Sequence, residues 1–78
     1  MNDIKSAYRL SKAGLERIRG QKDDALKKKL AHTLGLTIPS INRFIRQNSW
    51  NGDLTKIKVV DILTTEFSTV FHDLYEQS

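Results

Sequence analysis

The sequence predicts an all-α fold, a compact bundle of four to five short helices around one core. Three observations carry this. Proline occurs once, at Pro39. No stretch of five or more residues alternates apolar with polar in the manner of a half-buried strand. Apolar residues recur instead at helical spacings along most of the chain. At 78 residues the expectation is a single domain spanning 1–78. A chain of this size buries roughly 60 to 65% of its unfolded surface, so self-association would help to stabilise it.

Each element has a local signal. Ile4, Ala7, Tyr8, Leu15 and Ile18 are spaced for a first helix, closed at Gly20. Gly14 interrupts it, and either splits the helix or marks the end of an arm of about twelve residues. Asp23 and Asp24 favour the positive end of a second helix, which carries Leu26, Leu30, Ala31 and Leu34 inward and stops at Gly35. Thr37 is placed to cap a third helix, with Pro39 in its first turn and Ile41, Phe44 and Ile45 as its buried stripe. Residues 48–52 form a turn cluster. Asp53 is expected to cap a fourth helix through Leu54, Ile57, Val60, Leu63 and Phe67. Its preference is mixed, because Val59, Ile62 and several threonines also suit a strand. Ser68 is expected to cap a last helix with Val70, Phe71, Leu74 and Tyr75, so that the C-terminal helices cover 54–77.

Composition narrows the function. There is no cysteine, which removes disulfides, thiolate metal sites and cysteine nucleophiles together. The longest unbroken hydrophobic run is two residues, too short for a membrane span or a signal-peptide core. The expectation is therefore a cytoplasmic protein without a membrane partner. Neither a phosphate-cradling glycine loop, nor acids with metal-ligand spacing around a histidine, nor a Ser/His/Asp grouping is present. No enzyme activity, catalytic residue, cofactor, metal or small-molecule substrate is expected. The charge is divided: residues 1–46 hold eleven Lys/Arg against four acids, and residues 47–78 hold two against five. A basic half at an overall pI near 9.6 fits a polyanionic partner.

The sharpest pattern surrounds Leu34-Gly35-Leu36-Thr37. Two helices that cross at about 90 to 120° through a short turn need a small residue where their backbones approach. Ala31 provides it, Gly35 tolerates positive φ in the turn, and Ile41 and Phe44 face back onto Leu30 and Leu34. The run from Leu30 to Phe44 resembles the helix-turn-helix of the phage Cro/repressor-type (xenobiotic-response-element-like) regulators, with the motif at about 25–47. Gly52-Asp53-Leu54 through Leu63, and then Phe71 to Leu74, are similar to that family's fourth and fifth helices. The sequence departs from the family's pattern in its longer segment before Leu15, in Lys27 where glutamine is common, and in the Ile38-Pro39 opening of the third helix.

The resemblance implies sequence-specific binding of double-stranded DNA by a small transcriptional regulator, with the helix from Thr37 to Gln47 in the major groove. Away from its buried stripe lie Pro39, Ser40, Asn42, Arg43, Arg46 and Gln47. Arg43 and Asn42 suit bidentate contacts to guanine and adenine, and Ile38 or Pro39 a thymine methyl; Ser40 and Arg46 complete the base-reading set. Lys27, Lys28, the Thr37 turn, Gln47, Asn48 and Ser49 are the candidates for phosphate contact. One helix reads only a few base pairs, which calls for a homodimer with half-sites about 34 Å apart. Its interface is expected at Val70, Phe71, Leu74 and Tyr75.

Plainer readings exist for the same residues. Lys27 to Lys29 can be a solvated helix face, and Arg43 and Arg46 can form surface bridges with acids of the chain. His32 and His72 lack partners for chemistry, and Trp50 is expected to cover the edge of the core. The alternative function is a helical protein-interaction module, an antitoxin or adaptor, in which the same corner is only scaffold.

Overall fold

The computed structural model describes residues 7–78; Ile4, expected in the first helix, lies outside them. The chain runs β1 (Tyr8–Leu10), α1 (Lys12–Arg19), α2 (Ala25–Leu34), α3 (Ile38–Gln47), a 3-10 turn (Asp53–Thr55), α4 (Ile57–Glu66), α5 (Phe71–Leu74) and β2 (Tyr75–Gln77). It is mostly helical, but the expectation of an all-α chain is corrected by β1 and β2. They form a two-stranded antiparallel pair with Tyr8 opposite Gln77, Arg9 opposite Glu76 and Leu10 opposite Tyr75. Strands of three residues are too short to show alternation, and Tyr8 falls at a helical spacing of four from Ile4 in the sequence by coincidence.

The first helix consequently starts later than its apolar spacing predicts. Ser11 is its cap, with the side-chain oxygen accepting from the Gly14 N–H at 3.1 Å. Gly14 does not break this helix. It is buried within α1 because the chain entering β2 passes directly over it: a Cβ there would lie 2.2 Å from the Leu74 carbonyl oxygen. The Ser11 N–H also donates to that carbonyl, at 2.9 Å.

One core holds the elements together. Leu10, Ile18, Leu30, Ile41, Val59, Leu63 and Leu74 are all within 2% of complete burial. Leu26, Ala31, Ile45, Leu54 and Tyr75 complete it, and Phe44, Ile62, Phe67 and Phe71 pack around its margin. Residues from every helix meet there, with α2 packed against both α3 and α4. Tyr75 brings a hydroxyl into this core and donates it to the Leu54 carbonyl at 2.6 Å, so the burial leaves no orphan polar group.

Two expected caps are displaced. Asp53 opens the 3-10 turn instead of α4, which begins at Ile57 after Lys56. The 3-10 turn lets Leu54 reach the core before the chain changes direction. Ser68 takes a left-handed conformation at φ 50° and ends the turn after α4, leaving Val70 as the residue before α5. The Thr69 hydroxyl instead donates to the Asp73 carboxylate across the start of that short helix.

The loop after α3 seals the free edge of β1. Asn48 ends α3 in the left-handed region at φ 43°. Its side-chain Oδ1 accepts from the Leu10 N–H at 3.1 Å, while Nδ2 donates to the Leu10 carbonyl at 2.9 Å. Asn51 treats Tyr8 in the same way, its Oδ1 accepting from the Tyr8 N–H at 2.9 Å and its backbone N–H donating to the Tyr8 carbonyl at 2.7 Å.

Gly14→Ala should destabilise the fold by about 3 kcal/mol or more in urea unfolding, because backbone must move to admit the methyl group. Asn48→Ala should lower stability by about 2 to 3 kcal/mol through two unpaired backbone groups. Asn48→Gly should recover about 1 kcal/mol of that loss, since glycine removes the left-handed penalty but restores no bond. For Tyr75, burial raises the phenol pKa above its ordinary 10.0, so folding holds the neutral form. Its contribution is intact below pH 10 and declines as pH rises above it; Tyr75→Phe should flatten that decline in unfolding measured across the alkaline range.

Candidate nucleic-acid interface

The turn that positions α3 is built by its backbone. Gly35 ends α2 at φ 69°, a left-handed geometry in which its N–H and that of Leu36 reach back to the carbonyls of His32 and Ala31. Thr37 then extends, and its Oγ1 accepts from the Ser40 N–H at 3.4 Å. Pro39 sits in the first turn, where no N–H is required. Ile41 and Ile45 bury one stripe of α3 against the core, with Phe44 beside them. Asn48 fixes the other end on Leu10. Neither end of α3 is free to swing.

The opposite stripe is available. Pro39, Arg43, Arg46 and Gln47 are exposed, and Ile38, Ser40 and Asn42 are half-buried along the same helix. Between Asp24 and Asp53 there is no acidic residue, while Lys27, Lys28, Lys29, Arg43 and Arg46 fall in that interval. Among the described residues the ion pairs are Arg9–Glu76 at 2.5 Å, Lys29–Glu66 at 3.2 Å and Lys56–Asp53 at 3.6 Å. Lys29 is therefore tied to α4. Lys27, Lys28, Arg43 and Arg46 have no carboxylate partner among the described residues, so the surface-bridge reading of the two arginines finds no bridge. Arg43 lies with its guanidinium 5.6 Å from the Phe44 ring centre, which steadies it without neutralising it.

Several expected site residues are otherwise employed. The Asn48 amide is committed to Leu10 on both sides, so its place among the phosphate contacts is corrected. Thr37 uses its hydroxyl within the turn, accepting from the Ser40 N–H and lying 3.3 Å from the Ser40 hydroxyl. Ser49 remains exposed beside Asn48. The expected dimer surface is also corrected. Leu74 is 1% and Tyr75 4% exposed, both consumed by the chain's own core, and Phe71 stacks on Tyr75 with ring centres 4.7 Å apart. Of that group only Val70 is well exposed, at 61%.

Trp50, expected at the edge of the core, is partly open to solvent. It is 41% exposed, and the Arg9 guanidinium lies 4.2 Å from its ring centre. Arg9, on β1, thus joins the loop that follows α3. Nothing in the sequence points to this pairing, because the two residues belong to distant segments joined through the Asn48–Leu10 and Asn51–Tyr8 bonds. Beside the same loop is a cleft of about 200 Å³ bordered by Phe44, Gln47, Ser49 and Asp53, smaller than the roughly 300 to 1,000 Å³ of ordinary small-molecule sites. His32 and His72 are exposed.

Comparison of the chain with known families, characterised proteins and solved structures finds no match. Among the described residues, no helix is long and apolar enough to cross a membrane.

Proposed function

We propose that the chain is a small transcriptional regulator that binds double-stranded DNA sequence-specifically, with α2 and α3 acting as a helix-turn-helix. The observation that carries this reading is the outward stripe of α3, an exposed helical face with two arginines that lack carboxylate partners among the described residues. It lies in a 28-residue interval, 25–52, that contains no acid. A helix anchored at both ends and buried along one side has its remaining side chains free for contact, and these are base-reading types.

In this mechanism α3 enters the major groove. Arg43 and Asn42 read base edges, with Arg46, Ser40, Ile38 and Pro39 shaping the fit. Lys27, Lys28, Gln47 and Ser49 meet phosphate and set the register, giving most of the salt-dependent affinity. Two copies on an inverted repeat supply the discrimination one helix lacks. Occupancy of a promoter then blocks or recruits polymerase.

The test is selection of bound duplexes from a randomised pool at about 0.15 M salt, followed by sequencing. Enrichment of an inverted repeat supports the reading, and retention that vanishes with modest added salt and enriches nothing overturns it. On the selected site, Arg43→Ala should cost about 1 to 3 kcal/mol and relax the preference at one position. Lys28→Ala should weaken all sequences alike and lower the salt slope by about 1.

A further inference from the structure

We propose that the outer face of α4 pairs with the same face of a second copy of this chain, the two helices running antiparallel across a twofold axis. The proposal rests on the DNA-binding reading for the role of the dimer, and gives that dimer a surface.

The fourth helix is apolar on two sides. Val59 and Leu63, both 0% exposed, point into the core with Ile62 and Phe67 beside them. Ile57, Val60 and Thr64 fall on another stripe, at spacings of three and four. With Tyr8 and Phe71 they border an open groove of about 460 Å³. Ile57 is 86% exposed, the most exposed of the large hydrophobic residues described. A lone exposed isoleucine is ordinary, but one at the end of an apolar groove marks a surface that a partner covers.

The rim charges favour a copy of this chain as that partner. Asp61 borders the groove, and Lys58 flanks it on the same side of the helix. Neither has an ion-pair partner among the described residues, where the pairs formed are those of Arg9, Lys29 and Lys56. In an antiparallel pair centred between Val60 and Asp61, each Ile57 lies opposite the other copy's Thr64, at the far end of its groove. Each Lys58 then falls within about 3 Å, measured along the helix axis, of the opposing Asp61. A single patch that is complementary to itself in shape and charge is what a twofold interface requires. A helix of ten residues is about 15 Å long, too short to hide the roughly 800 Å² per partner of a stable pair. Tyr8, Phe71 and the adjoining Val70, with the Tyr8 and Phe71 rings in contact at 5.1 Å, extend the surface beside α4.

The test is sedimentation equilibrium of the full chain, without DNA, from about 1 to 100 μM, a range that spans ordinary dimer affinities. The mass should rise from 8.9 kDa toward twice that value. Ile57→Asp should raise the dissociation constant about a hundredfold, since the contact occurs twice. Its fold should be unchanged by circular dichroism, because the residue is exposed and an acid suits the start of a helix. Lys58→Asp and Asp61→Lys should each weaken association about tenfold, and the double variant should restore it. A monomeric mass throughout, a dimer indifferent to Ile57→Asp, or a charge swap without rescue would each overturn the proposal. A dimer that behaves as expected but enriches no DNA sequence leaves the α4 pairing standing and removes the DNA reading alone.

Discussion

The structure depends on the way a single asparagine replaces a strand. β1 is three residues long, and an isolated two-stranded ribbon is marginal in water, with an open edge on each side. Here β2 occupies one edge and the loop after α3 occupies the other. Asn48 presents its amide to Leu10 as a neighbouring backbone would, one acceptor and one donor at once. Its own left-handed backbone is what turns the amide toward the strand, and asparagine is among the few residues with a side chain that tolerate that conformation readily. Asn51 repeats the arrangement one pleat away, at Tyr8.

This seam transmits position through the molecule. β1 leads into α1 through Ser11, whose side chain caps the helix while its N–H holds the Leu74 carbonyl. Gly14 permits the close approach on which that contact relies. β2, α1 and the end of α3 are thus referenced to one another through the three residues of β1. The aromatic group of Tyr8, Phe71 and Tyr75 adds an edge-on contact at 5.1 Å and a stacked one at 4.7 Å over the same junction. The anchors of α3 lie at its ends and its buried stripe is Ile41 and Ile45, so Arg43 and Arg46 lie outside the packed face.

The parts legible in the sequence were those set by local chemistry. Gly35, Thr37 and Pro39 delimit α2 and α3 because left-handed termination, capping and the missing N–H of proline act within four residues. The buried stripe of Ile41 and Ile45 was readable for the same reason. What the sequence hid was non-local. The bonds of Asn48 span 38 positions and those of Asn51 span 43, so a turn-forming asparagine could be recognised but its partner could not. Gly14 looked like a helix breaker because its neighbour, Leu74, is sixty positions away. Leu74 and Tyr75 looked like a surface stripe because nothing local revealed that α5 packs Leu74 against α1 and that Tyr75 opens a strand paired with β1. The candidate contact face was legible in its outward residues, whereas the withdrawal of Asn48 from it was not.

The arrangement of α2 bears on how the two proposed surfaces coexist. α2 packs against α3 on one side and α4 on another, and no residue of α3 borders the apolar groove on α4. A partner covering that groove leaves the outward stripe of α3 open. The charges follow the same division: Glu66 of α4 draws Lys29 away from the basic face, while Lys27 and Lys28, one turn or less along α2, have no carboxylate partner among the described residues. An acid placed within α3 would have compensated Arg43 locally, at little cost to the packing of Ile41 and Ile45. Folding alone therefore does not account for the absence of acids between 24 and 53. On the DNA-binding reading proposed above, their absence keeps the outward face of α3 positive.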